Sequence, residues 1–263
     1  MPIQSVTTAR MDIRVHGSTS PNPFLSASDL FETELDLERP VHVRVRDDPD
    51  ERTWTAHPDG HHVLNISRQA ATSVMARELA LHEYSHMARN EQSHPSHTQS
   101  TAEALFLAFA GRSVERRKLT HCYQIANHMK DIYADDITLD LGPSDKLVTF
   151  LESQLAALVA DRPQRLPGRR LTATSDPEMT AVNAAFALAM VERHDLVERD
   201  HRLYDLARTA SRDAPSVDVQ GFKYRFLSLG DDPTESEYRK ALVDAAREYV
   251  LGGEEGGSEQ AAD

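Results

Sequence analysis

The sequence predicts an α+β protein with a helical C-terminal region. Apolar residues alternate with polar ones between residues 41 and 66, which is the period of half-buried strands. From about residue 67 they recur every three or four residues, which is the period of amphipathic helices. We therefore expect a small N-terminal antiparallel β-meander packed on helices.

The N-terminal part is predicted to be a loop followed by three short strands. Residues 1–30 are polar and contain the Ser/Pro-rich stretch GSTSPNPF, which is typical of a loop. Strands are predicted at 41–46, 53–56 and 62–66. The turns between them are DDPDE and HPDG, in which Asp-Gly supplies the positive φ of a tight turn.

Helices are predicted for most of the remaining chain. In the first domain, residues 1–160, they cover 67–90, a segment from Ser100, 114–137 and 145–159. Ser100 and Glu103 form a capping box at the start of the second of these. A linker at 161–178 is followed by a helical region at 179–251, with helices at 179–200, 201–212 and 234–251. In this region, Phe222, Tyr224 and Phe226 alternate as in a strand or an ordered loop. An acidic tail at 252–263 is predicted to be disordered.

The composition of the chain indicates which partners, which location and which metal sites to expect. The chain has 42 acidic residues against 29 basic ones, a net charge of −13, which disfavours nucleic acid and anionic membranes. Only five of the basic residues are lysines, and this acidic, lysine-poor balance favours a halophilic protein. We find neither a signal peptide nor an apolar run of membrane-spanning length, so a cytoplasmic protein without membrane insertion is expected. A single cysteine, Cys122, is expected in the core and excludes cysteine-built zinc sites.

The most informative motif is H-E-x-x-H at His82, Glu83 and His86, inside a predicted amphipathic helix. Residues four apart lie one above the other on a helix, so both imidazoles can converge on one metal ion. Glu83 is rotated by about 100° from His82, which places its carboxylate beside the ion as a general base for a water molecule. The motif therefore predicts a Zn²⁺ site.

A catalytic zinc site needs a third protein ligand. The metzincin spacing would require glycine and histidine where Arg89 and Gln92 stand, so we reject it. Glu103 is one candidate, although it also fits the capping box. Asp131 is the other, because it lies on a predicted helix with Asp135 one turn later and His128 one turn earlier.

Two further sets of residues could take part in the predicted site. Asp135 could accept a hydrogen bond from a ligand histidine and fix its tautomer. His94 and His97, in the stretch SHPSH, could bind metal or line a cleft, but a polar loop is the default interpretation.

These motifs resemble those of gluzincin zinc peptidases of the HtpX and CAAX-protease type, and of their small relatives, the minigluzincins. In those families H-E-x-x-H is followed on a later helix by E-x-x-A-D, and this chain has Asp131-Ile-Tyr-Ala134-Asp135. The likeness covers residues 40–140, with Asp in place of Glu at the ligand position and without the transmembrane helices of the HtpX type. The whole chain also resembles a family of haloarchaeal proteins with no assigned activity.

The resemblance implies a zincin-like fold and peptide-bond hydrolysis. Zinc would polarise the scissile carbonyl while Glu83 activates the water, and His128, Tyr123 or Tyr133 could donate to the oxyanion. The strand at 62–66 would be the edge strand on which an extended peptide or protein substrate binds.

Three hypotheses remain at this stage. The first is an active zinc metallopeptidase. The second is an inactive zincin-fold module that binds zinc or another protein, and the third is a helical protein in which the motif arose by chance. The sequence does not predict an oligomeric state.

Overall fold

The computed structural model describes residues 10–48, 52–161, 165–166, 169–170 and 175–259. A four-stranded sheet near the N-terminus is followed by helices, which confirms the α+β class. The chain divides into two compact units, Met1–His97 with Tyr133–Pro143 and Thr98–Ile132 with Ser144–Asp263. This division differs from the predicted boundary at residue 160.

The sheet consists of β1 (Ile13–His16), β2 (Val41–Arg46), β3 (Trp54–Ala56) and β4 (His62–Ser67), in the order β1-β2-β4-β3. β1 pairs with β2 and β2 with β4 in parallel, and only β3 and β4 are antiparallel. The predicted antiparallel meander is therefore wrong, and β1 lies in the predicted N-terminal loop. The predicted edge strand is also wrong, because β4 lies between two neighbours and is buried along its whole length.

The described part of the first unit contains α1 (Asn22–Phe31), α2 (Arg68–Ala71), α3 (Ala76–Glu91) and α4 (Pro95–Thr98), the last of which ends at the boundary with the second unit. α1 lies within the predicted N-terminal loop. The Ser/Pro-rich stretch is typical of a loop, but a helix begins just after Pro21, since proline is well tolerated at the start of a helix. The buried side chains of α1 pack against α3, since Tyr84 donates to the carbonyl of Phe24 at 3.2 Å and its ring meets Phe31 edge to face. These contacts fix the apolar side of α3.

Glu91 fixes the C-terminal end of α3 to the sheet. Its carboxylate accepts from the backbone N–H groups of Glu38 and Arg39 at 2.8 and 2.9 Å. His62 of β4, which is fully buried, reaches the same carboxylate at 2.9 Å. α3 is thus held by α1 along its side and by the sheet at its end.

α3 ends in a tight turn built on Ser93. This residue has a φ of 53°, in the left-handed region that normally favours glycine. The N–H of Ser93 bonds to the carbonyl of Asn90 and that of His94 to the carbonyl of Arg89, the two bonds of a Schellman motif. The turn sends the following segment back along α3.

The second unit is helical. Its helices are α5 (Thr101–Phe109), α6 (Arg116–Leu141, which continues into the first unit), α7 (Asp145–Ala160), α8 (Pro177–Arg193), α9 (Arg202–Asp213), α10 (Val219–Leu227) and α11 (Glu235–Glu259), with a short hairpin of β5 (Arg165–Leu166) and β6 (Arg169–Arg170). The predicted cap is present, as Ser100 accepts from the N–H of Glu103 at 3.3 Å. None of the described helices is both long enough and apolar enough to cross a membrane.

Three predicted segments of this region differ from the structure or fall partly outside it. The alternating aromatic residues at 222–226 lie in α10, because Phe222 and Phe226 are four apart and share its buried face. The predicted disordered tail is helical as far as Glu259, and 260–263 lie outside the described residues. The predicted linker contains the β5–β6 hairpin and the start of α8, and its residues 162–164, 167–168 and 171–174 lie outside the described residues.

Replacing Ser93 by glycine should stabilise the protein. A non-glycine residue in the left-handed region costs about 1 kcal/mol, so S93G should raise the melting temperature by about 2–4 °C. Gln92, the preceding residue, has a φ of −66°, so Q92G is the matched control and should lower stability by about 0.5–1 kcal/mol. Thermal unfolding followed by circular dichroism measures both, and a lower melting temperature for S93G would contradict the assignment of strain to this turn.

Candidate metal centre

His82 and His86 lie on one face of α3 and converge. Their Nε2 atoms are 3.0 Å apart, and their rings are nearly perpendicular, with centroids separated by 4.6 Å. Two ligand atoms on one tetrahedral zinc ion lie about 3.3 Å apart, because each Zn–N bond is about 2 Å long. The spacing of the motif therefore gives the approach of nitrogens that a shared metal ion requires.

His82 is held by Asp135 through Nδ1, the ring nitrogen that does not face His86. This nitrogen lies 2.6 Å from Oδ1 of the Asp135 carboxylate, which is 4% exposed. A carboxylate only accepts hydrogen bonds, so Nδ1 carries the proton and donates it. In the neutral ring Nε2 is then unprotonated, which is the form that binds metal.

Asp131 lies one turn before Asp135 on the unbroken helix α6. The one-turn spacing places its carboxylate on the same side of α6 as Asp135, which holds His82. Oδ2 of Asp131 is 3.6 Å from Nδ1 of His128. Burial lowers the pKa of the neighbouring Lys130, and the charge of Asp131 opposes this shift.

Glu103, the other candidate for third ligand, has a different place. It lies exposed in the first turn of α5, where its backbone N–H is capped by Ser100. Among the described residues it belongs to no group of three side chains that could hold a metal ion. The geometry therefore favours Asp131.

Glu83, the candidate general base, directly follows His82 on α3 and is 6% exposed. Tyr84, which is fully enclosed, lies on the side of the helix opposite His82 and His86, and Met87, one turn after Glu83, is enclosed as well. Burial raises the pKa of Tyr84, which stays a neutral phenol. α3 therefore separates a packing face from a face that carries ionisable side chains.

The three candidate oxyanion donors are placed differently. His128 is packed in the second unit, where its Nε2–H donates to Oδ1 of Asn183 at 2.8 Å and its ring stacks on Phe186. Tyr123 is 42% exposed, two turns before Asp131 on α6, which corresponds to about 12 Å along the helix axis. Tyr133 is fully buried, and its ring contacts that of His94.

The segment around α4 contacts His86, whereas the default interpretation of the sequence is a polar loop. Nε2 of His97 lies 2.7 Å from Nδ1 of His86, on the side away from His82. His94 is 6% exposed rather than part of an open polar loop. Eleven residues separate His86 from His97, and no helical spacing relates them, because the turn at Ser93 reverses the chain between them.

A second cluster of ionisable groups in the second unit is an ion-pair network. His121, Asp176 and Glu178 could also supply three ligand atoms to a metal ion. However, Arg117 bonds to both carboxylates, at 2.8 and 2.5 Å, and Lys118 lies 3.2 Å from Glu178. Although burial opposes it, hydrogen bonds from Lys118 and Ser216 lower the pKa of Glu178. Arg117 and Lys118 already balance the charge of these carboxylates, so the cluster does not need a metal ion.

Cys122 is fully buried, as the sequence predicts. Burial raises the pKa of its thiol to about 12, so it is not a thiolate nucleophile near neutral pH.

A family model covers almost the entire chain, matching residues 11–251. The protein belongs to the DUF5781 family. Its description is a family of unknown function, so membership in DUF5781 assigns no activity to the site on α3 and α6. No curated protein and no solved structure matches the chain.

The third ligand can be identified by substitution. If Asp131 binds the metal, D131A should weaken zinc affinity by at least about 100-fold, whereas E103A should change it by less than about threefold. Competition with a chromophoric chelator measures both affinities on the full chain. A larger loss in E103A than in D131A would reverse the assignment.

Proposed function

We propose that this DUF5781 protein is a zinc-dependent metallopeptidase with Glu83 as the general base. The observation that carries the proposal is the convergence of the His82 and His86 Nε2 atoms to 3.0 Å, with Nδ1 of His82 held by Asp135. Such a pair is typical of zinc sites, in which a carboxylate orients the ligand imidazole.

The side chains present suit Zn²⁺. Two imidazoles and the Asp131 carboxylate would form a ligand set of the kind found in catalytic zinc sites, which leave a fourth position open. Zinc bound there would act as a Lewis acid on a substrate carbonyl and lower the pKa of a water molecule to about 7.

The residues around this position have separate roles in the proposal. His82, His86 and Asp131 hold the metal, and Asp135 keeps His82 in the metal-binding tautomer. Glu83 takes the proton of the attacking water and returns it to the leaving amine. Its burial supports this role, because an enclosed carboxylate meets little bulk water that would compete for the proton.

The edge of the sheet supports a peptide as substrate. In the described residues β3 pairs only with β4, so its outer edge offers backbone N–H and C=O groups. β3 also contacts α3, and its Trp54 is 45% exposed. An extended peptide added to this edge would lie beside the helix that carries Glu83.

The variant E83Q tests the proposed chemistry. Glutamine keeps the shape of the side chain but cannot take a proton, so zinc should remain bound while peptide cleavage falls by about 10²- to 10⁴-fold. Cleavage of a mixture of fluorogenic peptides is measured in high salt, as the acidic composition favours, alongside the zinc content of each protein.

The control is E34Q, the same substitution at an exposed glutamate in the turn that follows α1. It should keep both zinc and cleavage. Undiminished cleavage by E83Q would rule out Glu83 as the base. A wild-type protein that holds zinc but cleaves no peptide would instead favour the inactive zinc-binding module.

A further inference from the structure

A chain of three hydrogen bonds leads away from His86. Nδ1 of His86 is 2.7 Å from Nε2 of His97, and Nδ1 of His97 is 2.7 Å from Oγ of Ser96. The same hydroxyl oxygen is 2.7 Å from Nδ1 of His94. Ser96 is fully buried and His94 is 6% exposed, so the chain runs into the protein.

The backbone N–H of Ser96 determines which atom donates in each of these bonds. The N–H of Ser96 donates to Nδ1 of His94 at 3.2 Å, which makes that nitrogen an acceptor. The hydroxyl of Ser96 must therefore donate its proton to His94 and accept from Nδ1–H of His97. In a neutral His97, Nε2 is then an acceptor, and the proton between the two rings belongs to Nδ1 of His86.

The direction has a consequence for the metal centre. With its proton on Nδ1, neutral His86 presents an unprotonated Nε2, as Asp135 requires of His82. Two nitrogen lone pairs then face each other at 3.0 Å and repel, unless a cation lies between them. The hydrogen bonds at Nδ1 of both rings thus leave both Nε2 atoms unprotonated, so that they can bind the same metal ion.

We propose that His97 is a positioning residue of the metal centre, acting with Ser96 and His94 to hold His86 in the tautomer that binds metal. The inference rests on the proposed zinc site and adds to it a set of residues outside the H-E-x-x-H motif. It also gives the two ligand histidines different partners, a carboxylate for His82 and a neutral imidazole for His86.

The local backbone supports this role. The left-handed Ser93 and the two bonds of its turn bring the segment 94–97 back along α3. The N–H of His97 bonds to the carbonyl of His94 at 2.9 Å, which places the three side chains on a single turn. A side chain that only filled space would not need a fixed direction for every bond.

The first test compares two substitutions of His97. Leucine removes both bonds, so H97L should weaken Zn²⁺ affinity by about 10- to 100-fold. Glutamine can accept from His86 through Oε1 and donate to Ser96 through its amide, so H97Q should stay within about threefold of the wild type. Affinities come from chelator competition, and the visible spectrum of the Co²⁺-loaded proteins reports the geometry at the metal.

The second test asks whether Ser96 acts through His97. S96A should weaken Zn²⁺ affinity by about three- to tenfold, the value of one hydrogen bond. In the H97L background the same substitution should change affinity by less than about twofold, because the path from Ser96 to His86 is already broken. H16L, at an exposed histidine on β1, is the control for loss of an imidazole and should leave affinity unchanged.

The outcomes separate this inference from the proposed function, since the readout is metal binding rather than cleavage. Three results would each overturn the positioning role and leave the metal centre in place. They are an unchanged Zn²⁺ affinity in H97L, equal losses of affinity in H97L and H97Q, and a loss in the S96A/H97L double variant that equals the product of the two single losses. A wild-type protein that binds neither Zn²⁺ nor Co²⁺ would overturn both.

Discussion

The structure depends on α3 serving two purposes at once. One face of this helix is apolar and packs against α1 through Tyr84, while its C-terminal end is held to the sheet by Glu91. The opposite side carries the two imidazoles, and Glu83 lies about 100° around the helix from His82. Because the packing face has little freedom to rotate or slide, the polar face is presented in one fixed orientation, as a metal centre requires.

Histidines and carboxylates elsewhere in the chain show why position decides their role. In the second unit, Asp176 and Glu178 stand beside His121 but are bonded to Arg117 and other donors, so their charge is already balanced. At the centre on α3, the positive charge would come from the metal. An acidic chain with a net charge of −13 contains many carboxylates, and the neighbouring cations separate ion pairs from candidate ligands.

Part of the fold was accessible from local patterns. The amphipathic period located most helices, and the cap at Ser100 was found from two residues. Other elements were missed because their local sequence resembles something else: α1 begins in a Ser/Pro-rich stretch, and β1 has only four residues. Strand direction depends on the path of the chain between strands, which alternation alone does not encode.

The sequence by itself predicted the candidate metal-binding pair, because helical geometry makes residues four apart neighbours wherever the helix lies. Tertiary structure decided what surrounds them: the placement of Asp135 on His82, and the turn at Ser93 that returns His97 to His86. These contacts join residues 11 to 53 positions apart, and only the packing of the folded chain brings such residues together.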